Sequence, residues 1–439
     1  MKFGKVGQVG LVSAIALLVA TLFTACSTLT VGFLFVATTK QTPGQIEVYE
    51  VNSESGVLRT IPTSPFPSGG RNPLAEAADA GSQNLYVANN DDNNIVQFGI
   101  GTDGKLYPQS TINTPGTFPV GLALSGGYAY VLDNLGPAAG CSLANPCPGL
   151  VAGYAITSAA TSATAGSNGQ GSLGQVCATD PTTNTQTCSL GNPVVNGNGL
   201  GYVLLQLSAN DPTVLTPTAV NVTASGGFLY VTAYSAASSG NQGYLFAFST
   251  GSDGSLTAMP LGPQYTFKGQ TTQMVPLPIG SEPVAMVSDS GSQYLYVADE
   301  KLNQIDGFSL GSTGIPSQVS TTSTGDQPSA VTIFNDKFLY VTNSLDSTIT
   351  AYNTSAGSLS PIGVYASSTN PVAIAVDPRN IGFLYTVNFL GNSLSGYQIN
   401  PSNGTLVNTQ ASPYLSSAQP TAISGVPHGG TATANGTSK

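Results

Sequence analysis

Along most of the chain, short apolar runs alternate with polar turns rich in Gly, Asn and Asp, and one run recurs with its neighbours in the same order. Its copies centre on an aromatic residue: Phe35 in FLFVAT, Tyr86 in NLYVAN, Tyr130 in YAYVLD, Tyr230 in FLYVTA, Tyr296 in YLYVAD, Tyr340 in FLYVTN and Tyr385 in FLYTVN. Runs this short, rich in β-branched and aromatic residues and bounded by turn formers, predict strands. A second apolar run precedes most copies and opens on proline, as in PLAEAA, PVGLALS, PVAMVS, PSAVTIF and PVAIAV. After each copy comes an alternating run such as IVQFGI, LFAFST, ITAYNT or LSGYQI, and then a turn, DGKL, DGSL, AGSL or NGTL. Asn, Asp and Gly accept the positive φ that such turns need. A fourth run leads to the next proline. Regular copies lie 44 or 45 residues apart, the size of a four-stranded propeller blade.

The LYV run is apolar on both faces, as expected of a strand with a blade packed on either side and no solvent face. The copies predict an all-β chain, a seven-bladed β-propeller of four-stranded antiparallel blades. The ends of the pattern point to closure. PTAISGVP at 420–427 has the pattern of an opening strand with no LYV run after it, and VGFLFVATT near residue 31 has no opening strand before it. Pairing the two would join the chain ends and remove an open edge. The expected organisation is a signal segment at 1–25, a propeller at 26–427 with an insertion at about 157–213 in the third blade, and a flexible tail at 428–439.

The rhythm P-x-A, LYV-x-N, Y-x-(I/V), G-x-L resembles the seven-bladed propellers of the lactonase family, similar to 6-phosphogluconolactonase and muconate cycloisomerase relatives and their YVTN-repeat cousins. It runs through nearly all of residues 31–427. The resemblance implies the fold and names lactone hydrolysis, a carboxylic ester hydrolase activity, as the chemistry to test. The matching residues are strand and turn positions, so they carry the fold and not a catalytic set.

Composition narrows the partners. Of 439 residues 41% are apolar and only 7% charged, with 52 Gly and 29 Pro, which suits short strands joined by tight turns. A net charge of −10 repels phosphate backbones, so nucleic acid is excluded as an expected partner. Lys2 and Lys5 precede an apolar run from Leu11 to Phe23 that ends in LFTAC at Cys26, the order of parts of a secretory signal. The segment resembles a bacterial lipoprotein signal, which implies lipidation of Cys26 and an exported, cell-envelope protein held on a membrane by its lipid. Ordinary cleavage near Ala25 and an uncleaved anchor are the alternatives, the run being short for a spanning helix. The four remaining cysteines form near pairs, Cys141 with Cys147 and Cys177 with Cys188. An even count in an exported chain points to disulfides, with 141–147 and 177–188 the simplest connectivity. A zinc site is the rival reading, but CxxC spacing is missing and the sole histidine, His428, lies far away.

Four-stranded blades bring the loops before the first strand and between the second and third strands to one face. Those loops carry Arg71, Asn89, Asp91, Asp92, Asn134, Glu282, Asp326, Asn343 and Asn388, together with Asp133, Asp299 and Glu300 as candidate general bases. Three readings of such a ring stand side by side: turn capping by Asn and Asp, a hard cation such as calcium held by several oxygens, and a small-molecule pocket at the channel mouth. Hydrolysing a lactone needs a base and a group to hold the oxyanion, and Arg71 is the one cation expected at this face. His428 falls in the tail, Arg59 in an outer strand and Arg379 in a turn on the opposite face, so no family catalytic set carries over. Residues 177–213 and 261–279 are expected to lie over the mouth as lids or binding loops, the alternative being solvated Thr/Asn/Gly excursions with no partner. The functional expectation is a tethered, monomeric binding or scaffolding module for a small molecule or cell-surface ligand. The alternative is a lactone hydrolase, metal-dependent because an acidic mouth would need an ion.

Overall fold

The computed structural model describes residues 30–428 except 138–139, 157–172, 174–177, 180–185, 188–200, 208–212, 237–239, 262–265, 268–269 and 272–275. Seven antiparallel sheets of four strands form the blades, and in blades two to seven the strands run in sequence order from the channel outward. Blades two to seven open with the inner strands Pro73–Ala78, Thr117–Ser125, Thr216–Val222, Pro283–Ser288, Pro328–Phe334 and Pro371–Val376. Blade one takes its inner strand from the far end of the chain: Pro420–Pro427 pairs antiparallel with Thr30–Thr38, with Gly32 opposite Pro427 and Thr38 opposite Pro420. The predicted closure is therefore present. His428, expected in the tail, continues it, donating its backbone N–H to the Val31 carbonyl and placing its ring edge-on to Phe33.

The repeated aromatics explain how flat sheets become a ring. Each LYV tyrosine is buried between its own blade and the next, where burying such a side chain contributes roughly 2–3 kcal/mol. Four of the phenols donate to a glycine carbonyl in the outer hairpin of the following blade: Tyr130 to Gly254, Tyr230 to Gly314, Tyr340 to Gly404 and Tyr385 to Gly56. Those glycines have positive φ, and a Cβ on any of them would collide with an aromatic ring near the start of the same LYV strand. Turn glycine and strand tyrosine are thus two halves of one contact between blades. In blade one the tyrosine is replaced by Phe35, and its seam with blade two is a phenylalanine cluster of Phe33, Phe35 and Phe98.

The two insertions leave the ring at a place the sequence did not suggest. In blades one and seven the fourth strand is broken in two, Leu58–Thr60 with Phe66–Pro67 and Leu406–Asn408 with Tyr414–Leu415, and both pieces pair with the third strand. A serine hydroxyl fills the gap, accepting the third-strand N–H: Ser64 from Val48 and Ser412 from Gly396. Blade four is broken at the same height, between Leu256–Met259 and Leu277–Pro278. In blade three Leu173 bridges Ile156, and Tyr202–Leu204 pairs with residues 150–152. Both long insertions therefore interrupt outer strands, which resume at Tyr202–Leu204 and Leu277–Pro278. Cys141–Cys147 is a disulfide in the mouth-side loop of blade three, whereas Cys177, Cys188 and Cys26 lie outside the described residues.

Candidate functional site

The mouth is shaped by one backbone irregularity repeated in every blade. Just after the proline of each inner strand, the register against the second strand slips by one residue. The skipped residues are Leu74, Val120, Thr218, Val284, Ser329, Val372 and Thr421. A β-bulge leaves its extra residue out of the ladder and re-aims its side chain, and proline tolerates this position because its missing N–H forfeits no ladder bond there. All seven bulged residues line a cavity of about 600 Å³ at the mouth of the channel. Three carry hydroxyls, and these turn sideways to the next blade: Thr218 donates to the Pro283 carbonyl, Ser329 to Pro371 and Thr421 to Pro73. What remains toward the cavity is a floor of Leu and Val side chains.

Above the floor, two further repeat positions complete the wall. The residue before the proline supplies Thr216, Glu282, Gln327 and Asn370, and the residue four after the LYV aromatic supplies Asn134, Tyr234, Glu300, Ser344 and Phe389. With Pro217, these three positions account for every lining residue among those described. The residue before the proline is held at positive φ in Asn72, Phe118, Gln327, Asn370 and Gln419 but not in Thr216 or Glu282. Blades four and five thus depart from the others in backbone and in chemistry together. They contribute Tyr234 with Thr216, and Glu282 with Glu300. The Glu282 carboxylate accepts from the Asn241 amide, and the Glu300 N–H donates to the Glu282 carbonyl at 2.9 Å. Partial burial, with the Glu282 and Glu300 carboxylates nearby, pushes the Tyr234 phenol above its usual pKa, so it remains a hydrogen-bond donor at neutral pH.

The residues expected at this mouth fall into three groups. Asn134, Glu282 and Glu300 line the cavity. Arg71, Asp91, Asp92 and Asp326 sit outside it on the rim, engaged with one another or with a neighbouring loop: Arg71 grips Asp92 at 2.6 Å and the Asp91 carbonyl at 3.1 Å, and Asp326 accepts from Asn303. The third group, Asn89, Asp133, Asp299, Asn343 and Asn388, ends the second strands and is buried, at most 1% exposed. This is a correction to the expected ring, and its cause is local. Asn343 donates to Thr348 and Thr350, Asn388 to Ser393 and Ser395, and Asn89 to Asn94, while Asp299 accepts the N–H groups of Ser281, Glu282 and Leu302. Asp133 accepts from Gly116 N–H, but Leu150 and Ala152 stand where blades six and seven offer hydroxyls, leaving Oδ1 without a partner among the described residues. Burial accordingly pushes its carboxyl up to about 7. Neither Asp133 nor Asp299 reaches a ligand in the cavity, so neither is placed as a general base.

Tyr234, Phe389 and the seven bulged residues were missed by sequence reasoning. Their signal was available, since each stands at a fixed offset from a repeat landmark and varies in type from blade to blade. Among the described residues no three His, Cys, Asp or Glu side chains converge as a metal site, and the divalent cation expected as an option finds no ligand set there. Also among the described residues, no helix is long and apolar enough to cross a membrane.

Comparison with known proteins agrees with this architecture. Residues 264–424 match the model of the family described as lactonase, 7-bladed beta-propeller. No curated protein matches the sequence. Solved structures with a similar fold include a candidate 6-phosphogluconolactonase from Bacteroides fragilis, at 16% identity and TM-score 0.64, covering 91% of this chain and 99% of that one. The periplasmic gluconolactonase of Pseudomonas aeruginosa is similar at 16% identity and TM-score 0.64, with 90% and 99% covered. A protein from Lactobacillus plantarum is similar at 17% identity and TM-score 0.64, again with 90% and 99% covered. At these identities the likeness concerns the fold. Repeat and closed ring make the chain a seven-bladed β-propeller, and its residues 264–424 match the lactonase family of such propellers.

Proposed function

We propose that this protein is an exported, membrane-tethered propeller that binds a small uncharged or cationic molecule at its channel mouth. The observation that carries this reading is the cavity's lining: an apolar floor, a polar wall with Glu282 and Glu300 on one arc, and, among the described residues, no Lys, Arg or His. A concave site walled by carboxylates concentrates cations and admits neutral molecules, while an anionic ligand would meet repulsion and no counter-charge. The floor suits one face of a ring, and Asn134, Tyr234, Gln327 and Asn370 offer donors and acceptors to its hydroxyl or carbonyl groups. A neutral lactone or the sugar ring related to it fits that description.

The second reading, lactone hydrolysis, is favoured by the family match and by the named gluconolactonase among similar folds. In this chain Glu300 or Glu282 would take a proton from the attacking water, and Tyr234 with Asn134 would donate to the oxygen that becomes negative. Ring opening adds water across the acyl C–O bond and returns a hydroxy acid, whose new carboxylate the acidic wall would expel. A phosphorylated lactone is disfavoured by the same charge. The test is a panel of neutral lactones and their phosphorylated counterparts, followed for binding and ring opening with the chain from residue 27. Saturable binding of neutral members, weakened at least tenfold in Glu300→Gln, supports the site, and turnover lost in the same variant adds the hydrolase reading. Preference for the phosphorylated members would overturn both.

A further inference from the structure

The two ends of the ring are not equivalent with respect to the chain termini, and this fixes which end can face a membrane. In blade one, Thr38 and Pro420 pair at the mouth end, while Thr30, Asn52 and Pro427 lie at the other. The chain enters the propeller at Thr30 on the hairpin face, and His428 leaves on that same face, held there by its bond to Val31 and by the Arg379 guanidinium, which donates to its carbonyl. Cys26 is four residues before Thr30. Four residues span at most about 14 Å even when fully extended, and the body of a blade is about 26 Å from one end to the other.

From these lengths we propose that the hairpin face lies against the lipid surface and the mouth opens away from it. The inference rests on the tether named above: a lipid on Cys26 leaves too little chain for the ring to turn over and present its mouth to the bilayer. Ligand then reaches the cavity from the aqueous side or from a facing structure, and lipids of the anchoring leaflet cannot enter. The orientation also makes the outer flanks of blades three and four, where the insertions attach, run parallel to the membrane normal.

The chain contains no tryptophan, so a single introduced one reports its own distance to the bilayer. Ile381, in the hairpin-face turn of blade seven, and Leu390, in the mouth-side loop of the same blade, are about half exposed or more and can each be replaced by Trp without disturbing the core. The full chain, processed and lipidated in a bacterial host, is reconstituted on phosphatidylcholine vesicles containing a dansyl headgroup lipid, and Trp-to-dansyl energy transfer is measured. Transfer from Ile381→Trp is expected to exceed that from Leu390→Trp severalfold, and both should vanish when Cys26→Ser is added. Equal transfer, or the reverse order, overturns the orientation while leaving the tether intact. Unchanged vesicle binding by Cys26→Ser, or no binding by the lipidation-competent chain, overturns the tether and the orientation with it.

Discussion

The hairpin end and the mouth end of each blade follow different rules. At the hairpin end the same contact recurs, a buried tyrosine donating to a positive-φ glycine of the next blade, in four seams among the described residues. At the mouth end the backbone recurs as a bulge in all seven blades, but the side chains do not: the bulged position holds Leu, Val, Thr, Val, Ser, Val and Thr in chain order from Leu74 to Thr421. Backbone regularity there delivers side chains that differ from blade to blade: Leu74, Val120, Val284 and Val372 face the cavity, while Thr218, Ser329 and Thr421 also bond the next blade. The comparison separates residues that hold the ring from residues that can be varied to suit a ligand, and it predicts that substitutions at the two ends have opposite profiles.

The largest expected effect comes from breaking closure. Removing residues 420–439 takes away the inner strand of blade one, exposes the faces of Leu34, Phe35 and Val36, and cuts the serine and threonine links to blade two. A cost above about 5 kcal/mol, comparable to the whole stability of a typical domain, is expected, read as loss of the cooperative transition in thermal unfolding.

Next in size is a pH effect at the same seam. Glu76 lies fully buried on the inner strand of blade two, where the other blades place Leu122, Val220, Met286, Val331, Ile374 and Ile423. Its Oε1 accepts from Ser424 of the closing strand at 3.4 Å and its Oε2 has no partner among the described residues. Burial pushes this carboxyl up to about 8, from an ordinary value near 4.5. A raised folded-state value means that its contribution is fully present below about pH 4.5 and is lost progressively as pH rises through about 8. The loss is on the order of 4 kcal/mol. Glu76→Gln should flatten the fall in stability between pH 5 and 9, measured by denaturant unfolding. Parallel curves for the two proteins would remove Glu76 from the account.

Smaller effects test one seam in isolation. Gly404→Ala places a Cβ 2.5 Å from the Phe338 ring at a φ of 74°, and a cost of about 2–3 kcal/mol is expected. Tyr340→Phe leaves the Gly404 carbonyl without its donor and should cost about 1–2 kcal/mol. Because both act on one contact, the double variant should fall short of the sum. Additive costs would mean that ring and turn are held independently.

Most of the hairpin end was legible in the sequence, because packing on both faces forces LYV and G-x-L to repeat. The mouth was legible only in part. Asn343 and Asn388 looked like exposed loop amides, yet the hydroxyls five and seven residues on, as in N-S-L-D-S-T-I-T, already offered local partners that draw them inward. A one-residue slip leaves no mark on hydrophobic alternation when the strand is apolar on both faces, so only the fixed offset from the proline could have marked the bulged residues. The attachment points of the insertions were not legible for a related reason: a broken outer strand and a long loop between blades look alike in sequence, and only pairing of Tyr202–Leu204 and Leu277–Pro278 to third strands distinguishes them.

The most direct test of the central claim is ligand selectivity at the acidic arc, measured by calorimetry with a neutral lactone and its phosphorylated counterpart on the parent chain and on the Glu282→Gln, Glu300→Gln double variant. The account predicts that the parent binds only the neutral molecule, that the double variant narrows or reverses this preference, and that unfolding stability changes by less than about 0.5 kcal/mol. Selectivity unchanged by removing both carboxylates would contradict it and move the site away from the mouth of blades four and five.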